Sequence, residues 1–199
     1  HINDGLKIQK GIHGFKPEDV IHFLNKQGRK KDFFPVLDLK NLNSKEYQMF
    51  NWSNLYIAHF KGEIKGIIGA WDQTSYKQTF IRALSTRIKT IKPFHNLILS
   101  KIFHKPVIPN IGASIQSFFV TQIAIEHNDP NIFAQLLDKV SVENAKNYQC
   151  FYVGLSDSDP LCSSMKYFSN IEYKGLLYLV DYKLNKSLNR IPYIDLAKL

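Results

Sequence analysis

Aspartate and glutamate are missing between Asp72 and Glu126. That stretch carries Lys77, Arg82, Arg87, Lys89, Lys92, Lys101 and Lys105, in a chain of 199 residues with a formal net charge of +9. It reads either as a solvated basic face or as a surface that attracts an anionic partner. A phosphate-bearing cofactor, an acidic substrate or an anionic membrane would each fit. Nucleic acid is not expected, because no recognised module for it is present. Cysteine is scarce. Cys150 and Cys162 form no CxxC, and no histidine stands at ligand spacing from them, so a structural zinc site is excluded and no metal is expected. Two buried free thiols in a reducing, cytoplasmic setting are the expectation. No apolar run approaches the ~20 residues that a membrane span needs, so no transmembrane segment is expected. The sequence has no HExxH, no nucleophile elbow and no phosphate-binding P-loop, which leaves zinc-protease, serine-hydrolase and P-loop kinase chemistry without support. The first residues, His1-Ile2-Asn3-Asp4-Gly5, show neither a secretory-leader pattern nor an initiating Met. A piece of a longer chain is expected.

The composition is that of an ordinary globular protein, and the length suits one domain over residues 1–199. Pro17 to Gly28 reads as a short helix. Pro17 is at its first position, Glu18 and Asp19 suit its positive end, and Val20, Ile21, Phe23 and Leu24 form its apolar stripe. Ser44 to Phe50 reads as a second short helix with Ser44 as cap. Leu55 to Phe60, the turn Lys61-Gly62-Glu63, and Ile64 to Asp72 make an antiparallel hairpin. Gly66 and Gly69 imply close packing or a bulge there.

Gln73 to Ile88 reads as an extended arm. Pro93 to Phe103 reads as a helix, with Phe94, Leu97, Ile98, Lys101 and Ile102 at helical spacing. Ser114 to Glu126 is nearly continuous in apolar and β-branched residues and is predicted to be a long central strand. Asp129-Pro130 opens a helix to about Asn147, and Cys150 to Leu155 is a short buried strand. This strand–helix–strand order predicts parallel pairing through a right-handed crossover. A further helix comes after Asp159-Pro160. Gly175 to Tyr182 and Ile191 to Leu199 read as final strands.

This element order resembles the GNAT (N-acyltransferase) superfamily over Pro17 to Tyr182. The hairpin Tyr56 to Gly69 looks like the second and third strands of that fold. Phe119 to Leu137 sits where its acyl-CoA motif sits, and Phe151 to Tyr178 is similar to the strand, helix and strand after that motif. Ala70-Trp71-Asp72-Gln73 with Tyr76-Lys77-Gln78-Thr79 looks like a set of GNAT-like proteins, some with longer chains, which suits a C-terminal half. The resemblance implies an α/β (α+β) fold with a mixed central sheet of about six or seven strands flanked by helices. The basic stretch would be an insertion between the third and fourth strands.

The resemblance implies more about a site. In this superfamily the central strand splays from its neighbour and its open edge holds the pantetheine arm of an acyl-CoA. Here that edge would be Ile123, Ala124, Ile125 and Glu126, with acetyl-CoA or a longer acyl-CoA as donor. The pyrophosphate would lie on the next loop, at His127, Asn128, Asn131 and Ile132. The family loop is glycine-rich because glycine lets the backbone approach phosphate and the helix dipole favours the anion. This loop, His127-Asn128-Asp129-Pro130-Asn131-Ile132-Phe133, has no glycine and no arginine. Pro130 removes a donor, and Asp129 is able to cap the helix itself. The loop thus reads either as a modified phosphate site or as a capped helix start.

Direct transfer to an amine needs a base for the amine, an acid for the thiolate, and donors to the oxyanion. Tyr167 stands in the helix where many GNAT enzymes keep that acid, or else is an ordinary buried aromatic. On the central strand Gln116, Thr121 and Gln122 are the polar candidates, and Gln122 is taken with Tyr167 as catalytic. Trp71, Asp72 and Gln73 line an acceptor site or form a turn over a core tryptophan. Asp157 and Asp159 read as a cap and turn or as groups facing substrate; as a pair they also suggest a cation, for which two ligands alone are too few. The implied activity is acyl transfer to a small-molecule or peptide amine. The alternative is a non-catalytic binding module, one that pairs with a second GNAT-like domain.

Overall fold

The computed structural model describes residues 5–40, 47–99, 102, 107–178 and 190–198. The chain begins with β1 (Lys7–Lys10), α1 (Pro17–Gly28) and β2 (Lys31–Asp32). The predicted hairpin comes next as β3 (Leu55–Phe60) and β4 (Glu63–Asp72). Its turn is tight because Lys61 (φ 50°) and Gly62 (φ 82°) both take left-handed backbone, the twist that suits a two-residue hairpin. After it are β5 (Thr79–Phe80), α2 (Thr86–Phe94), β6 (Ser114–Ile115) and β7 (Ser117–Ile125). Then α3 (Pro130–Asn144), β8 (Cys150–Val153) and β9 (Ile191–Pro192) complete the regular elements.

The central sheet is mixed and five-stranded, in the order β1-β3-β4-β7-β8. Every pairing in it is antiparallel except β7 with β8, which is parallel as the α3 crossover predicts. Helices cover both faces. On one, α3 packs Ile132, Phe133, Leu136, Leu137 and Val140 against Tyr56, Ala58, Ile68, Ile123 and Ile125. On the other, Val20, Phe23 and Leu24 of α1 pack with Ile57, Ile67, Trp71 and Ala124. The alternation of inward residues along β3 and β4 produces both cores from the same strands. Gly66 lets α3 come this close: a Cβ there would stand 2.9 Å from Ile132 and 3.0 Å from Leu136.

Several expectations are corrected. The sheet has five strands rather than six or seven among the described residues. Residues 175–178 are exposed and irregular, and the rest of the predicted strand Gly175 to Tyr182 lies outside the described residues. The final strand is only Ile191–Pro192, and it pairs with β2 instead of joining the central sheet. The long central strand is interrupted at Gln116. The arm from Gln73 to Ile88 is short, with only β5 paired, to β6. A helix starts inside it because the Ser85 side chain caps Thr86–Phe94 by accepting from the Ile88 amide. Pro93 therefore ends a helix rather than starting one. A wider π-turn, His95–Leu99, comes after its missing amide. Of the helix predicted from Ser44 to Phe50, residues 44–46 lie outside the described residues and 47–50 form a turn. Both thiols are free, but Cys150 is exposed and Cys162 half-buried, not the buried pair expected.

Candidate active site in the gap between the central strands

The parallel ladder between β7 and β8 runs from Ser117–Cys150 to Val120–Val153, where the described pairing ends. Beyond Val120, β7 keeps β4 on one side and loses β8 on the other. A bulge marks the departure. Gln122 takes φ 52°, and the register with β4 slips between Ile67 and Gly69. One extra residue bends the strand and re-aims the residues after it, as bulges do beside functional sites. Ile123 to Ile125 therefore lie on a stretch of β7 that has no β8 partner in the described pairing.

The gap is filled by the chain's own tail. The Tyr193 amide donates to the Asp32 carbonyl at 2.8 Å, and its ring packs on Phe34 at 4.6 Å between centroids. Its buried hydroxyl accepts from the Ile123 amide at 3.3 Å. Burial, with the nearby Asp195 charge, holds that phenol well above its ordinary range. Next, Ile194 and Leu196 press on Gly154, just past β8. A Cβ at Gly154 would lie 2.8 Å from the Ile194 carbonyl and 2.8 Å from Leu196. Asp195 accepts from the Thr121 hydroxyl at 2.8 Å, and burial raises its carboxyl despite that bond and one from the Ala197 amide. The Gln73 side-chain amide donates to the Ala197 carbonyl at 2.9 Å. Lys198 donates to the Tyr47 hydroxyl at 2.8 Å and sits over its ring. Tyr193 belongs to the core under α3 and Ala197 to the core under α1. The tail therefore passes from one face of the sheet to the other through the gap.

The residues singled out from sequence divide around this gap. Gln122 is fully buried, with its amide 3.4 Å from the Tyr47 hydroxyl and its carbonyl without a hydrogen-bond partner. It lines a cavity of ≈ 30 Å³ with Leu24, Leu37, Phe50 and Leu55. That is room for about one water. Trp71 is core: it stacks on Tyr47 at 5.7 Å and donates its indole proton to the Gln48 carbonyl. Gln73 touches the tail through Ala197. Asp72 is held by the Thr74 amide and hydroxyl and by the Tyr148 hydroxyl. Burial pulls its carboxyl up, but those three donors more than offset it and leave it below its usual range. Tyr148 responds in the opposite sense, pushed up to about 12 by burial and by the Asp72 charge.

The acyl-CoA candidates fare unevenly. Ala124 and Ile125 are buried on opposite faces, and the Ile123 amide is already bonded to Tyr193. Glu126 pairs with Lys65 at 3.1 Å. His127 (φ 55°) and Asn128 (φ 48°) form the single turn before α3. Asp129 caps α3 by accepting from the Asn131 amide at 2.8 Å, with Pro130 directly after it. Ile132 is core under Gly66. The strand edge offers the Ile123 amide, but Tyr193 occupies it in this structure. The helix start does not fit a pyrophosphate, because its leading amide serves Asp129 and two carboxylates flank it. Tyr167 ends the 3-10 helix Pro160–Tyr167, is 62% exposed, and lies under the Lys166 ammonium. The phenol at the Ile123 amide belongs to Tyr193, which the sequence pattern assigns only to an edge strand. Asp159 caps that 3-10 helix at Leu161 and forms a buried 2.7 Å ion pair with Lys31, which resolves Asp159 as a structural cap.

A mixed sheet whose edge pair β7–β8 is parallel and ends at Val120, with a bulge in β7 and helices on both faces, is the arrangement of a GNAT-like fold. Several solved structures are similar to the chain. An aminoglycoside acetyltransferase from an uncultured soil metagenomic sample, in complex with sisomicin, superposes with a TM-score of 0.50 at 13% identity, over 93% of this chain and 100% of that one. A predicted acetyltransferase with acetyl-CoA from Clostridium acetobutylicum gives 0.48 at 13% identity, over 88% and 96%. Glucosamine-6-phosphate N-acetyltransferase from Arabidopsis thaliana gives 0.45 at 8% identity, over 88% and 99%. Neither a family model nor any curated protein matches the sequence. The chain is a divergent GNAT-like fold.

Proposed function

We propose that this domain is an acyl-CoA-dependent N-acyltransferase whose donor groove is held closed by its own C-terminal segment. The reading rests on one observation: β7 leaves β8 after Val120 and turns the Ile123 amide into the gap. The Tyr193 hydroxyl presents an oxygen to that amide, the kind of atom a thioester carbonyl would present in its place. With the tail withdrawn, the Ile123 amide is a ready donor for developing negative charge. The donor would be acetyl-CoA or a longer acyl-CoA and the acceptor a small-molecule or peptide amine. The amine nitrogen would attack the thioester carbon directly, and the C–S bond would break. The proton lost by the amine would pass through solvent to the departing thiolate, leaving the amide and the free coenzyme thiol. Ile123, Ala124 and Ile125 would hold the arm. Gln73, which bonds the Ala197 carbonyl, would face the acceptor once the segment withdraws, with Gln122 and the core residue Trp71 behind it. The coenzyme phosphates would need basic side chains outside the α3 start, because Glu126 and Asp129 occupy it. Free thiols suit a reducing, cytoplasmic compartment.

A second reading is favoured by the Asp129 cap and the seated tail: a GNAT-like interaction module without catalysis, pairing with another such domain. Calorimetry with acetyl-CoA and a long-chain acyl-CoA separates the two, on the full chain and on Tyr193→Ala. The transferase reading expects weak heat from the full chain and stronger binding to the variant. No heat and no thermal shift from either protein, with the variant folded, would leave the interaction module.

A further inference from the structure

We propose that the exposed apolar face of α2, in the acid-free excursion between β4 and β7, docks on an anionic lipid surface. Its helix α2 and the turn His95–Leu99 are unlike the other helices. No residue of α2 is buried. Ile88, Ile91 and Phe94 recur at three-residue spacing along one side of the helix. They are 42%, 54% and 57% exposed, and Leu97 beyond them is 63% exposed. The chain itself covers a different side. Lys92 donates to the Pro109 carbonyl at 2.8 Å, and Asn96 exchanges hydrogen bonds with the Ile108 amide and carbonyl at 2.8 and 3.0 Å. The returning segment Ile108–Asn110 is thus tied to the Lys92–Asn96 side, which leaves the isoleucine–phenylalanine side to solvent.

Charge names the occupant. Arg82, Arg87 and Lys89 are exposed on and beside the same helix, and no carboxylate occurs from residue 73 to residue 125. A face that is apolar and only positive is complementary to a surface that is negative outside and apolar within. A membrane bearing phosphatidylserine has both properties, and basic helices with apolar faces lie in such interfaces. An acidic protein would match the charge but would not need so many uncovered isoleucines. The inference is independent of the acyl-transfer reading.

The test is co-sedimentation of the full chain with phosphatidylcholine vesicles, with and without phosphatidylserine, at low and high salt. The expected result is binding to the anionic vesicles that salt weakens, and little binding to the neutral ones. The triple variant Ile88→Ser, Ile91→Ser, Phe94→Ser and, separately, Arg87→Glu with Lys89→Glu are each expected to lose roughly tenfold or more in partitioning. These side chains are exposed, so circular dichroism should match the parent protein. Failure of the parent protein to pellet with anionic vesicles would overturn the proposal. So would a triple variant that binds like the parent, or binding to polyglutamate or an oligonucleotide in place of vesicles.

Discussion

The Tyr193 hydroxyl lies 3.3 Å from the Ile123 amide nitrogen, across 70 residues of sequence and inside the gap where the central strands part. That bond, with the one from the Thr121 hydroxyl to Asp195, joins the tail to the strand edge on which the proposed chemistry depends. Its energetics are open to measurement. Tyr193→Phe keeps the ring against Phe34 but strips the amide of its acceptor, and is expected to cost roughly 1–3 kcal/mol. Tyr193→Ala also opens a cavity and is expected to cost about 3–5 kcal/mol. Urea unfolding of both variants checks the order.

Gly154 is a second contact point for the tail. With any Cβ there meeting Ile194 and Leu196 at 2.8 Å, Gly154→Val is expected to push the segment out of the gap. Amide hydrogen exchange would then rise at Tyr193 and Ile123 while α3 stays protected. Unchanged exchange at those amides would show that the tail is held by other contacts.

At the start of α3 the cap and the charge of Asp129 can be separated. Asp129→Ala removes the acceptor of the Asn131 amide and is expected to destabilise by about 1 kcal/mol. Asp129→Asn caps about as well, so stability should hold while one negative charge leaves the loop. If the coenzyme phosphates approach this loop, the asparagine variant binds acyl-CoA more tightly than the parent protein in calorimetry.

Two carboxyls should give opposite pH dependence. Burial raises Asp195, so its contribution to stability is greatest below the ordinary carboxylate range and falls as pH rises through the raised value. Asp195→Asn is therefore expected to gain on the parent at neutral pH, with the difference closing in acid. Asp72 is lowered by its donors against the pull of burial. Its contribution is present at neutral pH and lost as pH falls through the depressed value. Asp72→Asn is expected to be the less stable protein at neutral pH and to converge with the parent in acid. Thermal melts across pH report both.

The Lys31–Asp159 pair has side chains 4% and 3% exposed. Lys31→Met would strand a buried carboxylate and is expected to cost about 3–5 kcal/mol. A denaturant midpoint close to that of the parent protein would mean that water reaches Asp159.

Much of the fold is legible in the sequence because its causes are local. The hairpin announces itself through Lys61-Gly62 and the alternation of β3 and β4. The α3 start announces itself through Asp129-Pro130. The apolar run of β7 gives away a strand covered on both faces. Trp71 is legible only as a tryptophan beside a strand end. Whether it lines a site or fills a core depends on Tyr47, which stacks on it. The α2 helix is misplaced by a local reading because Pro93 outweighs Ser85 there, although the serine cap is what starts the helix.

The sequence alone determined the periodicities, the caps and the acid-free stretch, since each rests on neighbours within a few residues. Only the tertiary structure decided that the tail fills the gap. Tyr193, Asp195 and Ala197 acquire their roles from Ile123, Thr121 and Gln73, which lie 70 or more residues away. No pattern in a short segment records which distant amide or hydroxyl it will meet when the chain closes.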